Sequence, residues 1–250
     1  MNHIFLKISN RKKAFIGMLL LFATGFIYNS CMEERLKEPE EFFEGYGDIY
    51  VQKKKVDGVT LYAPYYYLHG NSSIHSASVE TPAGEIVELK PFEYLDTYMK
   101  DPGEEEFNTT MIETGTYYFA GSWGNDETFE INDSFYAAII GFPKIDSVGY
   151  DAADPHIYVF WDALSNAAIY KVKLLNQSGR VVFEGPALTS ASNAFIIYID
   201  TDGWTTLPYN GDVYTLQLHA FSLDEDASLT NWFYNIECNS YSETEVVWGE

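Results

Sequence analysis

The chain has 250 residues, 46% of them apolar, 17% aromatic and 21% charged, which supplies a packed core and excludes a disordered chain, a collagen and a coiled coil. Fifteen Lys and Arg stand against 37 Asp and Glu; with Lys7, Arg11, Lys12 and Lys13 of the first thirty residues set aside, the count is 11 against 37 and the net charge moves from −22 to −26. A body this acidic repels phosphate backbones, which argues against nucleic acid as a partner, and it repels anionic lipid, so membrane contact needs a separate anchor.

Ala14 to Tyr28 is an uncharged run behind a basic flank. Fifteen residues of helix rise about 22 Å, short of the ~30 Å hydrocarbon core, so the run reads as a secretory signal rather than a spanning helix. Ser30 precedes Cys31, and an acidic stretch follows at once. This resembles a bacterial lipoprotein signal, cut before a cysteine that is then acylated. Tyr28 and Asn29 stand where the usual lipobox has Leu and a small residue; relaxed boxes of this kind resemble those of Bacteroidetes lipoproteins. Glu33-Glu34 resembles the short acidic signal that sends such lipoproteins to the cell surface. The resemblance implies a signal over 1–30, lipid on Cys31, outer-membrane lipid as a partner, and residence at the cell surface or the periplasmic face. The alternative is an ordinary Cys31 with cleavage elsewhere. A Cys31–Cys238 bridge would then tie a leader or tether to the far end of the chain, whereas acylation leaves Cys238 a lone, buried core thiol.

Residues 31–48 carry the lipid site and then seven acids and one proline, the composition of a solvated tether. Two β-sandwich domains are expected after it, at 49–143 and 144–250. Candidate strands of the first are 59–68, 74–80, 85–90, 116–123, 128–131 and 135–140, with turn residues between them. Thr81-Pro82-Ala83-Gly84 makes VETPAGEIVEL a hairpin. FEYLDTYMK (92–100), stopped by Asp101-Pro102-Gly103, is the one stretch that suggests a turn or two of helix.

In the second half PHIYVFWDAL places Ile157, Val159 and Trp161 on one strand face. IYKVKLL, the turn Asn176-Gln177-Ser178-Gly179 and RVVFEG follow. On Trp161, on Tyr170-Lys171-Val172, and on Tyr214 with Leu216, Leu218 and Ala220, residues 144–240 resemble a fibronectin type III domain, of the immunoglobulin-like class. The resemblance implies a core tryptophan on the second strand and a tyrosine corner on the sixth. There the Tyr214 hydroxyl would find a backbone partner near Leu207. It implies nothing about function, because the sandwich hosts many.

Catalytic patterns are missing from the sequence. His69, His75, His156 and His219 fit neither H-E-x-x-H nor a Cys/His zinc spacing, and there is no G-x-S-x-G elbow, phosphate loop or C-x-x-C. His219 falls on the strand face opposite the core and reads as a surface residue. Asp200 to Gly203, Asp224 to Asp226 and Asn125 to Glu127 are clustered oxygen donors, but Tyr198 occupies the first position of the nearest calcium-loop pattern, so they read as solvated acidic loops. The expectation is therefore no enzyme, no cofactor and no metal.

Aromatics are the remaining signal, 37 of them in residues 31–250. Most belong to cores. Trp123 (GSWGND) and Trp204 (TDGWTT) sit instead at loops or strand ends. One reading folds each ring over the end of a sandwich. The other makes Trp123 with Asn125 and Asp126, and Trp204 with Asp202, ligand-binding sites for a neutral or cationic glycan. The whole then resembles the tethered starch-binding lipoproteins of polysaccharide-uptake systems: a non-catalytic, membrane-anchored binder. The rival is a structural or adhesive surface protein that binds an outer-membrane protein partner.

Overall fold

Apolar residues alternate through nearly every ordered segment, and the chain answers with strands. The computed structural model describes residues 42–92, 94–137, 139–224, 227 and 235–249; Cys31, the signal, most of the tether and Trp232 lie outside them. The first half holds β1 (Gly45–Val56), β2 (Val59–Gly70), β3 (Ile74–Glu80), β4 (Ile86–Glu88), β5 (Lys90–Phe92), β6 (Tyr94–Lys100), β7 (Gly115–Trp123) and β8 (Glu127–Phe135). The second holds β9 (Lys144–Asp151), β10 (His156–Asp162), β11 (Ile169–Leu175), β12 (Val181–Glu184), β13 (Leu188–Thr189), β14 (Ala194–Tyr198), β15 (Val213–Leu223) and β16 (Ile236–Val247). One 3-10 turn, Glu104–Glu106, interrupts them. The protein is all-β, and among the described residues no helix is long and apolar enough to cross a membrane.

In the second half β14-β10-β9 faces β12-β11-β15-β16, a three-on-four arrangement with the inward residues of each strand interdigitating. Trp161 sits on β10 with its ring 5.4 Å from that of Tyr170 on β11. Tyr170 is fully buried and its hydroxyl accepts the Leu164 N–H at 2.6 Å. In the first half β4-β3-β7-β8 faces β1-β2-β6-β5. The two four-stranded layers that face these smaller sheets are one continuous sheet, because β1 pairs in parallel with β16 through Val51–Cys238, Gln52–Asn239 and Lys53–Ser240. Residues 43–250 form one compact unit. The VETPAGEIVEL hairpin is present as β3 and β4, closed by Thr81 N–H to Glu85 at 2.9 Å.

Several expectations need correction. FEYLDTYMK is not helical: Tyr94–Lys100 is β6, whose Thr97, Tyr98, Met99 and Lys100 pair with β2. Residues 128–131 extend to a single strand, β8, that ends at Phe135, and the described residues between it and Lys144 form no strand. β1 was not anticipated. It starts at Gly45, within the stretch read as tether, and its VQKKKV hides its buried side. Lys53 and Lys54 are both buried. The Lys53 ammonium donates to the Ile140 carbonyl and lies 4.4 Å from the centre of the Phe142 ring. That of Lys54 pairs with Glu104 and lies 4.1 Å from the Phe107 ring. Their stems cover apolar surface while each charge finds a partner.

The tyrosine corner takes another form as well. Tyr214 donates its hydroxyl to the Asp212 carboxylate at 2.9 Å, not to the backbone near Leu207. Asp212 in turn accepts the Tyr209 N–H, so the carboxylate relays the ring to the backbone. Finally, His219 is not a surface residue. It points away from the main core as expected but is only 6% exposed, stacked between Phe221 and Tyr241 with Asn239 at 3.1 Å and Gln217 at 3.2 Å.

Candidate functional site

The two tryptophans do not form one site. Trp123 ends β7 and is 5% exposed, its ring tilted against Phe43 at 5.5 Å in the core of the first sandwich. Asn125 and Asp126 are exposed in the β7–β8 turn, where Asp126 holds a left-handed φ of 64° and its carboxylate lies 3.4 Å from His75 Nδ1. Trp204 belongs to the other sandwich. It bridges to Phe183, packs on Phe183, Tyr214 and Trp248, and donates Nε1–H to the Tyr198 carbonyl at 2.9 Å. Asp202 is exposed in the turn before it. Trp123 is thus buried and Trp204 half-buried.

The aromatic surface that remains open is elsewhere. β10 reads H-I-Y-V-F-W-D: its inward residues Ile157, Val159 and Trp161 are buried, but the outward ones are His156, Tyr158, Phe160 and only then Asp162. β14 repeats the pattern with Ile197 inward and Ala194, Ile196 and Tyr198 outward. The register sets His156 beside Tyr198, Tyr158 beside Ile196 and Phe160 beside Ala194. Neighbouring ring centroids lie 4.9 Å apart for Tyr198 and His156, 6.4 Å for His156 and Tyr158, and 5.8 Å for Tyr158 and Phe160. Four rings thus make a row across one face of the β14-β10-β9 sheet. Phe160 is 44% and Ile196 40% exposed, Tyr158 and Tyr198 are half-buried, and His156 is buried beneath its neighbours.

Gly149 on β9 lets the Tyr158 ring lie against the sheet. It pairs with Tyr158, and a Cβ there would stand 2.6 Å from the Tyr158 hydroxyl and 2.9 Å from its Cζ, so the ring occupies the space a side chain would take. Carboxylates close both ends. Asp154 accepts the Tyr198 hydroxyl at 3.2 Å and stands 3.6 Å from His156 Nδ1, too far for a hydrogen bond. At the other end Lys144 joins Asp146 at 2.7 Å and Asp162 at 3.0 Å, and those two hydrogen bonds hold its ammonium above the ordinary lysine range. The sequence carried a signal for this face: a half-buried strand alternates, whereas HIYVFW and AFIIY are apolar on both sides.

A concavity of about 630 Å³ lies against the continuous sheet between Lys54, Tyr241, Gln217 and Glu243. Its lining is mostly charged and amide-bearing, with the rings of Tyr214 and Tyr241. Among the described residues no group of three or more His, Cys, Asp or Glu could hold a metal ion.

An all-β chain of two sandwiches with an open aromatic face is the class that fold and site define. No family model matches the sequence, and no curated protein matches it. Among solved structures, it is similar to a two-domain fibronectin type III segment from chicken tenascin (14% identity, TM-score 0.29), covering 82% of this chain and 99% of that one. It is also similar to the BSP domain of a biofilm associated protein (10%, 0.25, covering 84% and 53%). A tetra-tandem repeat in the extending region of a large adhesion protein is a third likeness (13%, 0.21, 80% and 49%). The chain thus spans about half the length of the latter two.

Proposed function

We propose that this protein is a lipid-anchored, non-catalytic binding protein of the outer membrane, held by acylated Cys31, and that it captures a neutral or cationic glycan. The ligand is seated on the outward face of β14-β10-β9 rather than at Trp123, which is buried, or at Trp204, which is half-buried and packed on Phe183, Tyr214 and Trp248. The observation that carries this reading is the row Tyr198–His156–Tyr158–Phe160. Sugars present flat C–H faces that stack on rings, and their hydroxyls donate to carboxylates such as Asp154 and Asp162 at the ends of the row. A rigid sheet holds the rings in place before the ligand arrives, so little side-chain freedom is lost on binding. The charge of −26 outside the leader opposes a polyanion.

A second reading, a protein partner, is favoured by one feature: Ile196 adds exposed aliphatic surface beside the Tyr158 ring, as in the apolar centre of a protein interface. An unbiased glycan array probed with the detergent-solubilised full chain, beside a pull-down from outer membranes, separates the two. Glycan capture lost in Tyr158→Ala supports the first; an empty array with a specific protein captured through the same residues replaces it with the second.

A further inference from the structure

Four carboxyl groups meet where the two sandwiches join. Asp48 on β1 is completely buried and accepts the Ile236 N–H of β16 at 3.2 Å. Asp133 on β8 accepts the Ile49 N–H of β1 at 2.9 Å and that of Ser134 at 2.8 Å. Glu237 on β16 is buried and accepts the Tyr136 N–H just beyond β8 at 3.0 Å. Asp224, just after β15, lies in hydrogen-bonding reach of Glu237, as Asp48 does of Asp133. The Ile236, Ile49 and Tyr136 contacts each cross between segments that the sequence places far apart, so the acids stitch β1 and β8 to β15 and β16. They lie close to the three residue pairs by which β1 and β16 unite the sandwiches.

Among the described residues, the charges that act on Asp48 are all acidic. The charged groups that act on Asp48 from β8, β15 and β16 are Asp133, Asp224 and Glu237, with Tyr50 beside it on its own strand. Lys53 acts on Cys238, next to Glu237, and its ammonium is taken by the Ile140 carbonyl. One oxygen of Asp48, Oδ1, is buried with no hydrogen-bond partner. A buried carboxylate that lacks a donor and faces another carboxylate is costly when ionised, and the two can join only through a shared proton.

We propose that protons shared within this cluster latch β1 and β8 to β15 and β16, so that the joint between the sandwiches is tight at mildly acidic pH and loosens as the pH rises past neutrality. Burial first, then the neighbouring acid, raises Asp48 well above the usual carboxylate range; burial and the Glu237 hydrogen bond push Asp224 up to about 7. An acid raised in the folded state contributes stability that is complete below its unfolded value near 3.8 and is lost as pH climbs through the folded value. For Asp224 that loss runs up to about pH 7, and Asp48, raised well above the usual carboxylate range, shares its direction.

The test is a thermal melt of the full chain in detergent at pH 6.5 and pH 8.5, for the wild type and Asp48→Asn. The amide reproduces the protonated acid: its oxygen keeps the Ile236 N–H, and its N–H₂ donates to Asp133. The wild type should lose about 3 °C or more over that interval, and Asp48→Asn should lose far less and melt above the wild type at pH 8.5. Equal slopes in the two proteins overturn the latch, as does a flat wild-type curve. Should Asp48→Asn not fold, Glu237→Gln is read in its place with the same two outcomes. If millimolar Ca²⁺ abolishes the alkaline loss in the wild type and EDTA restores it, a metal and not a proton closes the cluster, and the proposal falls.

Discussion

Burial of a polar side chain here follows from the partner it finds, not from the face of the strand it occupies. His219 shows the principle most clearly. It lies outside the main core, yet Phe221 and Tyr241 cover its ring, and Asn239 and Gln217 take its nitrogens. Burial, with Lys173 and Lys171 nearby, pushes its pKa down to about 3, so the folded protein keeps it neutral while the unfolded chain protonates near 6.5. A base lowered in this way contributes stability that is present above its unfolded value and lost as pH falls below it. The raised acids at the joint slope the other way over the same range, so the comparison must be between two proteins. Between pH 6.5 and 5.0 the melting temperature of the wild type should drop relative to that of His219→Gln. Parallel curves would mean that the ring is solvated and the stacking on Tyr241 absent. Nothing in QLHAF reveals this, because strand alternation assigns a residue to a face and is silent on whether that face is covered. Lys53 and Lys54 were hidden for a related reason: charge suggests exposure, while the carbonyl, carboxylate and rings that receive their ammoniums come from residues 50 to 90 positions away.

At the scale of the element, local signals read well and long-range pairing did not. The Pro-Gly hairpin of β3 and β4, the Asn176 turn and the Trp161, Tyr170 and Tyr214 positions are short-range or pattern-borne, and the structure places them as expected apart from the hydroxyl partner of Tyr214. β6 was misread because FEYLDTYMK has an ambiguous period; its pairing with β2 overrides the local preference. β1 escaped because its buried lysines mimic a polar loop. The outward face of β10 was legible in HIYVFW, yet apolarity on both sides of a strand is equally the mark of a strand enclosed between layers, so the sequence could not say that this face stays open. Gly149 offers a test at this scale. Its φ is unexceptional and the obstacle to a side chain is the Tyr158 ring alone, which can swing outward. Gly149→Val should therefore leave the unfolding free energy within about 1 kcal/mol of the wild type in urea while tilting the ring off the sheet and weakening glycan capture by about tenfold. A loss of several kcal/mol, or capture that is unaffected, would remove Gly149 from the site.

For the molecule as a whole, the joint through β1 and β16 means that the two sandwiches share a sheet instead of hanging from a flexible linker, and the rigidity of that sheet is available to anything bound on either side. The anchor remains a matter of sequence, since Cys31 lies outside the described residues. Cys31→Ala should leave the protein soluble after export, or uncut and held by its signal; a mutant that still fractionates as a mature acylated species would refute the lipid attachment. Cys238 offers no substitute site, as it is fully buried and burial pushes its thiol up to about 11.

The most direct measurement is the affinity of the strongest glycan from the array for the wild type, for the double variant Tyr158→Ala/Phe160→Ala, and for Trp123→Ala. If the open face of β14-β10-β9 is the site, the double variant binds at least about tenfold more weakly, as expected for desolvated anchor residues, and melts close to the wild type. Trp123→Ala would lose about 3–5 kcal/mol of stability, as a buried ring should, while its folded fraction binds with wild-type affinity. The opposite pattern, full affinity in the double variant and lost affinity in a Trp123→Ala protein that remains stably folded, would contradict the account.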